Sequence, residues 1–115
     1  MKNFMFIYEG GDPDWHAKSS PEDLQAQMAK WEEWMGRLAE KGQLVAGGDP
    51  LHNGGVRVDV TGAATDIAAA EFKDLVSGYS IVAANTIQEA TEIAKTCPIF
   101  FDTAVKVQVR EILAM

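Results

Sequence analysis

The order of apolar and polar residues predicts short strands along the whole chain. Residues 4–8, FMFIY, form an apolar run with the length and composition of a buried strand. Residues 43–46 and 78–84 are further short apolar runs that predict strands. Valine alternates with charged or polar residues at 56–60 and at 104–112, which predicts strands with one face in water.

A longer stretch, residues 20–42, carries the spacing of an amphipathic helix. Ser20 suits the N-terminal cap, and Pro21 suits the first helical position. The apolar stripe at spacings of three and four consists of Leu24, Met28, Trp31, Met35 and Leu38.

A second helix is predicted within residues 85–98, where Thr86 and Glu89 have the spacing of a capping box and Pro98 marks the end. Residues 62–77 are rich in alanine, and propensity alone favours a helix there as well. The pattern in that segment is otherwise too weak to define its structure.

With residues 62–77 set aside, the order is strand, helix, strand, strand, strand, helix, strand. This order consists of two β-α-β-like halves and predicts a ferredoxin-like α+β fold, one sheet with both main helices on one face. Strand 4–8 is apolar on both sides, because Phe4, Phe6 and Tyr8 alternate with Met5 and Ile7. Since two helices cover only one face, we expect a second copy of the chain to cover the other, as a homodimer.

Composition narrows the class of protein. A chain of 115 residues with 47% hydrophobic residues fits one domain, residues 1–115. The formal net charge of −7 disfavours nucleic acid and anionic membranes as partners. Cys97, the single cysteine, cannot form an intrachain disulfide, and the N-terminal apolar run is too short for a signal peptide, so a cytoplasmic location is predicted.

Several segments of the sequence resemble the YCII-related family, in its DGPF-domain branch. The likeness rests on FMFIY, on SPEDLQAQMAKWEEWMGRLAEKGQLVAGGDPL, on AEFKDLVSGYSIV, on EATEIAKTCP and on VKVQVREI, and these segments span nearly the whole chain. The resemblance implies a dimeric α/β barrel, in which two ferredoxin-like sheets pack face to face.

Two features depart from that family. The Asp-Gly-Pro-Phe signature falls on residues 66–69, where only Asp66 matches, and the family implies a strand end and a turn there. Some YCII-like proteins carry an acid–base histidine on the first long helix, but Trp31 stands at about that place here. The acid–base role of that histidine therefore cannot be assigned to any residue of this chain.

The glycine-rich stretch 44–55, LVAGGDPLHNGG, raises the question of a phosphate loop. A phosphate loop needs a helix N-terminus downstream, whereas 56–60 is a strand pattern. We therefore predict that Gly47 and Gly48 allow close backbone approach, that Asn53-Gly54 forms a turn, and that no nucleotide binds. Asp49 and His52 remain the groups in this stretch that can do acid–base chemistry.

Other candidate residues lie elsewhere in the chain. Asp12, Asp14 and His16 alternate in DPDWH and could bind a divalent metal, but a solvated loop without metal is the preferred interpretation, and no cofactor is predicted. His16 is also the third acid–base candidate. Four aromatic residues could form the wall of an apolar ligand pocket or simply pack in the core: Tyr8, Trp31, Trp34 and Tyr79.

Two functions remain open from the sequence. The first is a small-molecule-binding dimer without catalysis. The second is a cofactor-free enzyme of the lyase or isomerase type, acting on a small organic acid or aromatic compound through His52, Asp49 or His16. No motif brings a nucleophile and a base together, which favours the binding protein.

Overall fold

The computed structural model describes residues 1–67 and 74–115 as a mixed α+β fold. The helices and strands, in chain order, are β1 (Lys2–Glu9), α1 (Trp15–Lys18), α2 (Pro21–Glu40), β2 (Leu44–Ala46), β3 (Val56–Val58), β4 (Ala64–Asp66), β5 (Val76–Ala84), α3 (Ile87–Lys95) and β6 (Lys106–Glu111). A short 3-10 helix, Pro98–Phe101, follows α3.

The main sheet has the strand order β2-β5-β1-β6, and the neighbouring strands are antiparallel. This order and the positions of the two longer helices confirm the predicted ferredoxin-like α+β fold. The central strand β1 pairs with β5 on one side and with β6 on the other. It therefore places its alternating side chains at the centre of both faces of the sheet.

One face of the sheet packs against α2 and α3. Phe4 and Phe6 from β1 are fully buried, as is Val82 from β5. Helix α2 supplies Trp34 and Leu38 to this core, and α3 supplies small residues that allow close approach. The core of the domain thus lies between the sheet and the two helices.

Helices α2 and α3 begin at the capping residues that the sequence predicts. The Ser20 hydroxyl accepts a hydrogen bond from the Asp23 N–H, and the Asp23 carboxylate accepts one from the Ser20 N–H, which completes a capping box on α2. On α3 the Thr86 hydroxyl accepts from the Glu89 N–H. The predicted reciprocal bond is replaced, because the Glu89 carboxylate accepts from the Gln43 side chain at 2.8 Å.

The middle of the chain differs from the prediction. Strand β3 does not join the main sheet but pairs with β4 in a separate two-stranded hairpin. The helix expected within 62–77 is wrong at residues 64–66, which are the strand β4, and at 76–77, which begin β5. Alanine propensity there is overridden by cross-strand pairing. Residues 68–73 of that prediction lie outside the described part of the chain.

The opposite face of the sheet carries apolar residues, and no helix formed by residues 1–67 or 74–115 packs on it. The register aligns Met5 with Ile81 and Ile7 with Tyr79, on the side of β1 away from Phe6. These four side chains are half-buried in the single chain. Within the described residues, no helix has the length and apolar character needed to cross a membrane.

Candidate functional site

A cleft of about 460 Å³ lies between helix α2 and the end of the sheet at which Tyr8 stands. Its walls come from residues 24–35 of α2, the loop after β1, the segment 47–53 and the start of β5. The 3-10 helix after α3 closes one end with Ile99 and Phe101. Segments far apart in sequence therefore meet around one space, and its volume suits a small organic molecule.

Helix α2 forms the apolar wall of the cleft. Leu24, Met28, Trp31 and Met35 line it from successive turns of this helix. The ring of Trp31 packs edge to face against Tyr8, with 5.9 Å between the ring centroids. The predicted apolar stripe of the helix thus lies partly over the core and partly over the cleft.

Tyr8 joins the cleft to a buried polar chain beneath it. Its hydroxyl donates a hydrogen bond to Ser80 Oγ at 2.8 Å, and the Ser80 hydroxyl donates to the Gly47 carbonyl at 2.7 Å. The Cys97 sulfur lies 3.3 Å from the Tyr8 oxygen. Either the Tyr8 hydroxyl or the Cys97 thiol can be the donor in this contact.

Within this hydrogen-bonded group, the Tyr8 hydroxyl and the Cys97 thiol are held in their neutral, protonated forms. Burial raises the pKa of the Tyr8 hydroxyl, and the neighbouring Cys97 raises it further. Burial also raises the pKa of the Cys97 thiol, against smaller opposing effects of its hydrogen bonds with Tyr8 and with the Ile99 backbone. Cys97 is 4% exposed, and a protonated thiol is a poor nucleophile.

Asp49 and His52 line the cleft from the glycine-rich stretch. Both residues are exposed at its mouth. His16 lines the other side of the mouth from α1, where its ring packs edge to face against Trp15. All three acid–base candidates therefore border one cleft, although none is buried.

Asp12 and Asp14 do not form the metal site considered for DPDWH. Lys18 donates to the Asp12 carboxylate at 2.9 Å, and the Asp14 N–H donates to the same carboxylate. These two contacts lower the pKa of Asp12, with the Lys18 bond as the larger cause. Across residues 1–67 and 74–115, no group of three or more His, Cys, Asp or Glu side chains is arranged to hold a metal ion.

Gly47 and Gly48 allow close backbone approach, as predicted, whereas the turn predicted at Asn53-Gly54 is only a bend at Asn53. A Cβ on Gly48 would overlap the Tyr79 carbonyl oxygen, and the φ of Gly48 is +76°, which favours glycine. A Cβ on Gly47 would collide with the Met35 sulfur. The stretch continues beside β5, since the Leu51 N–H donates to the Ser77 carbonyl, and it is followed by the strand β3 rather than by a helix.

Two of the predicted pocket residues are placed differently. Trp34 is 1% exposed, does not line the cleft, and donates its indole N–H to Thr96 Oγ1 at 3.0 Å, so it is a core residue. The register puts Tyr79 beside Ile7, so its side chain leaves the sheet from the face opposite Tyr8. Tyr79 borders the cleft, but its hydroxyl does not lie beside that of Tyr8.

Three residues of the cleft carried no signal in the sequence. Gln27, on α2, lines the cleft, and its amide oxygen is buried without a hydrogen-bond partner in the described part of the chain. Asp102 lines the cleft and accepts from the Asp12 N–H. Ser80 lies beneath it. Helical spacing puts Gln27 on the same side of α2 as Leu24 and Trp31, but only the folded arrangement shows that it borders a cleft.

Comparison with known proteins identifies the family. No curated protein sequence matches the chain at a significant level. The profile of the YCII-related domain matches residues 4–114, nearly the whole length of the chain. The chain therefore belongs to the YCII-related domain family.

Proposed function

We propose that this protein binds a small molecule with a largely apolar body in the cleft beside Trp31. The observation that carries this proposal is the cleft itself, about 460 Å³ in volume and walled by Trp31, Met28, Met35 and Leu24. Pockets for small organic molecules are concave and mostly apolar, with a few polar groups that set orientation. Here the wall is apolar, and a few polar side chains, Asp49, His52 and His16, stand at the mouth of the cleft.

The polar chain beneath Tyr8 favours binding over nucleophilic catalysis. Tyr8, Ser80 and Cys97 satisfy one another and the Gly47 carbonyl. Cys97 is buried and protonated, and Ser80 is 0% exposed, so neither can reach a substrate in the cleft. These side chains form a rigid floor.

A thermal-shift screen tests the proposal. We expect aromatic alcohols of the size of 2-phenylethanol and 2-naphthol to raise the melting temperature, because a ligand that binds only the folded state stabilises it. Trp31→Ala should remove this rise. Leu113→Ala is the control, since Leu113 is 77% exposed and does not line the cleft. A rise retained in Trp31→Ala, or no rise with any aromatic probe, would contradict the proposal.

We further propose that the protein acts as a homodimer through the sheet face opposite the helices. Met5, Ile7, Tyr79 and Ile81 support this, because together they form an apolar surface at the centre of that face. The resemblance to dimeric α/β-barrel proteins also implies a dimer in which two sheets pack face to face.

Assignment to the DGPF-domain branch also stays a proposal, supported by the end of β4 at Asp66. A cytoplasmic location stays a prediction.

A cofactor-free lyase or isomerase is the second candidate function. The observation in its favour is that His52, Asp49 and His16 border the same cleft as Trp31. Histidine can exchange protons with a bound carbon acid near neutral pH. Incubation with a carbon acid that has the same aromatic body, such as phenylpyruvate, in D₂O, followed by NMR and compared with the rate without protein, tests for this chemistry. Deuterium incorporation that His52→Gln abolishes would support catalysis, and its absence in the native protein would favour binding alone.

A further inference from the structure

We propose that the cleft selects ligands whose apolar body carries an amine or another strong hydrogen-bond donor over carboxylates of the same size. This inference rests on the proposed binding function and adds the chemical class of the ligand. It follows from the charge of the cleft lining, from two acceptors that lack donors, and from the aromatic wall beside them.

The lining is strongly biased in charge. It contains three carboxylates, those of Asp12, Asp49 and Asp102, and among its described residues neither lysine nor arginine. His16 and His52 are the described lining side chains that can carry a positive charge. Lys18 pairs with Asp12, so a bound carboxylate would approach the two uncompensated like charges of Asp49 and Asp102, whereas an ammonium group would be attracted.

Asp49 is the carboxylate that remains available to a ligand. Asp12 already accepts from Lys18 at 2.9 Å and from the Asp14 backbone. Asp102 accepts from the Asp12 N–H at 2.6 Å and from the Ala104 N–H at 2.9 Å. Asp49 forms no hydrogen bond or ion pair through its side chain within the described residues, and it stands at the mouth.

Gln27 supplies an independent observation that points to a donor. Its amide oxygen is shielded from water and accepts no hydrogen bond within residues 1–67 and 74–115. A buried acceptor without a donor is unfavourable, so nearly all such groups in proteins are paired. A ligand N–H or O–H, met by rotation of the Gln27 amide, would provide the missing donor.

The aromatic wall suits the same ligand. Trp31 and Tyr8 pack edge to face on the cleft side of α2 and β1. An ammonium group above an indole face is attracted by the ring, whereas a carboxylate is not. Asp49 from the glycine-rich stretch and Gln27 and Trp31 from α2 therefore favour the same ligand chemistry.

Three probes that share a phenyl body test this inference by calorimetric titration of the full-length protein. They are 2-phenylethylamine, 2-phenylethanol and 3-phenylpropionate. We expect the amine to bind at least about tenfold more tightly than the carboxylate, the ratio that one charge-assisted hydrogen bond provides. The alcohol should lie between them, because it carries a donor without a charge.

Two variants locate the preference. Asp49→Asn should weaken binding of the amine about three- to tenfold and change binding of the alcohol by less than about twofold, as expected for an ion pair at a partly exposed site. Gln27→Met, which keeps the shape but removes the acceptor, should weaken both donor-bearing probes. Asp14→Asn is the control, because it makes the same charge change outside the lining.

Each outcome is decisive. Equal or tighter binding of 3-phenylpropionate, or an equal loss in Asp14→Asn and Asp49→Asn, would overturn the proposed selectivity while leaving the binding function intact. Failure of all three probes to bind would overturn the proposed function and this inference together.

Discussion

Trp31 and Trp34 lie in the same turn of α2, yet they face different surroundings. Trp34 is 1% exposed, packs against Phe6, and places its indole N–H on Thr96. Trp31 is half-buried and lines the cleft. The two rings meet edge to face, with centroids 5.6 Å apart. One residue therefore stabilises the domain, and the other shapes the site.

Replacing each tryptophan by alanine should separate these roles. Trp34→Ala should lower the free energy of unfolding by about 3–5 kcal/mol, because it leaves a large cavity in the core. Trp31→Ala should lower it by less than about 2 kcal/mol, since part of that ring already meets water. Urea unfolding of both variants measures this. Equal losses would contradict the assignment of Trp31 to the cleft.

The Tyr8–Cys97 contact predicts how stability depends on pH. The pKa of the Cys97 thiol is raised on folding, so the folded state holds this proton more tightly than the unfolded chain does. The contribution is complete below about pH 8.5, the ordinary thiol pKa, and is lost as the pH rises above it. The raised pKa of Tyr8 acts in the same direction at higher pH.

We therefore expect the free energy of unfolding to fall between pH 7 and pH 10 in urea titrations. Cys97→Ala should make this decline shallower, because the unfolded variant has no thiol to ionise. A native protein whose stability is constant over this range, or a variant with an unchanged slope, would contradict the buried, protonated thiol.

At the scale of elements, two glycines give opposite predictions. Gly36 lies inside α2 with open space where a Cβ would stand, so Gly36→Ala should stabilise the protein by about 0.5–1 kcal/mol. At Gly48 the positive φ and the Tyr79 carbonyl oppose any side chain. Gly48→Ala should therefore destabilise by about 2 kcal/mol or more. Thermal unfolding measures both, and equal effects would contradict the close approach at Gly48.

The sequence predicted the elements whose signals are local. The cap at Ser20, the end near Pro98 and the alternation at 104–112 each lie within a few residues, and α2, α3 and β6 form where those signals place them. The sequence also predicted strand β3, but it did not predict that β3 pairs with β4. Pairing with β4 depends on a segment whose alanines favour helix when taken alone, and local propensity does not contain that contact.

The candidate site was predictable only in part for the same reason. His52 and His16 stand out because they are the two histidines of the sequence, and Asp49 because it lies three residues before His52 in the glycine-rich stretch; the fold brings all three to one cleft. Helical spacing put Trp31 on the apolar stripe and left Trp34 outside it, whereas the fold buries Trp34 in the core and leaves Trp31 half-buried at the cleft. The two positions are only about 60° apart on α2, so the spacing alone could not assign their surroundings. Gln27 and Asp102 gain meaning only from their neighbours.

At the scale of the whole molecule, the proposed dimer is testable in solution. Light scattering at micromolar concentration should give about twice the chain mass of 12.5 kDa. Ile81→Lys, on the sheet face opposite the helices, should produce the monomer. Gln88→Lys, on the exposed side of α3, adds the same charge and should leave the dimer intact. A native monomer, or a dimer that survives Ile81→Lys, would contradict the proposed interface.

The most direct test of the proposed function uses the three indole N–H resonances in ¹H–¹⁵N spectra of the native protein. Trp31 and Trp15 line the cleft, whereas Trp34 is buried in the core on Thr96. Each signal can be assigned by a single Trp→Phe variant. On titration with 2-phenylethylamine we predict saturable shifts of the Trp31 and Trp15 signals, with little change at Trp34. Shifts that spare Trp31, or that move all three signals equally, would contradict binding in this cleft.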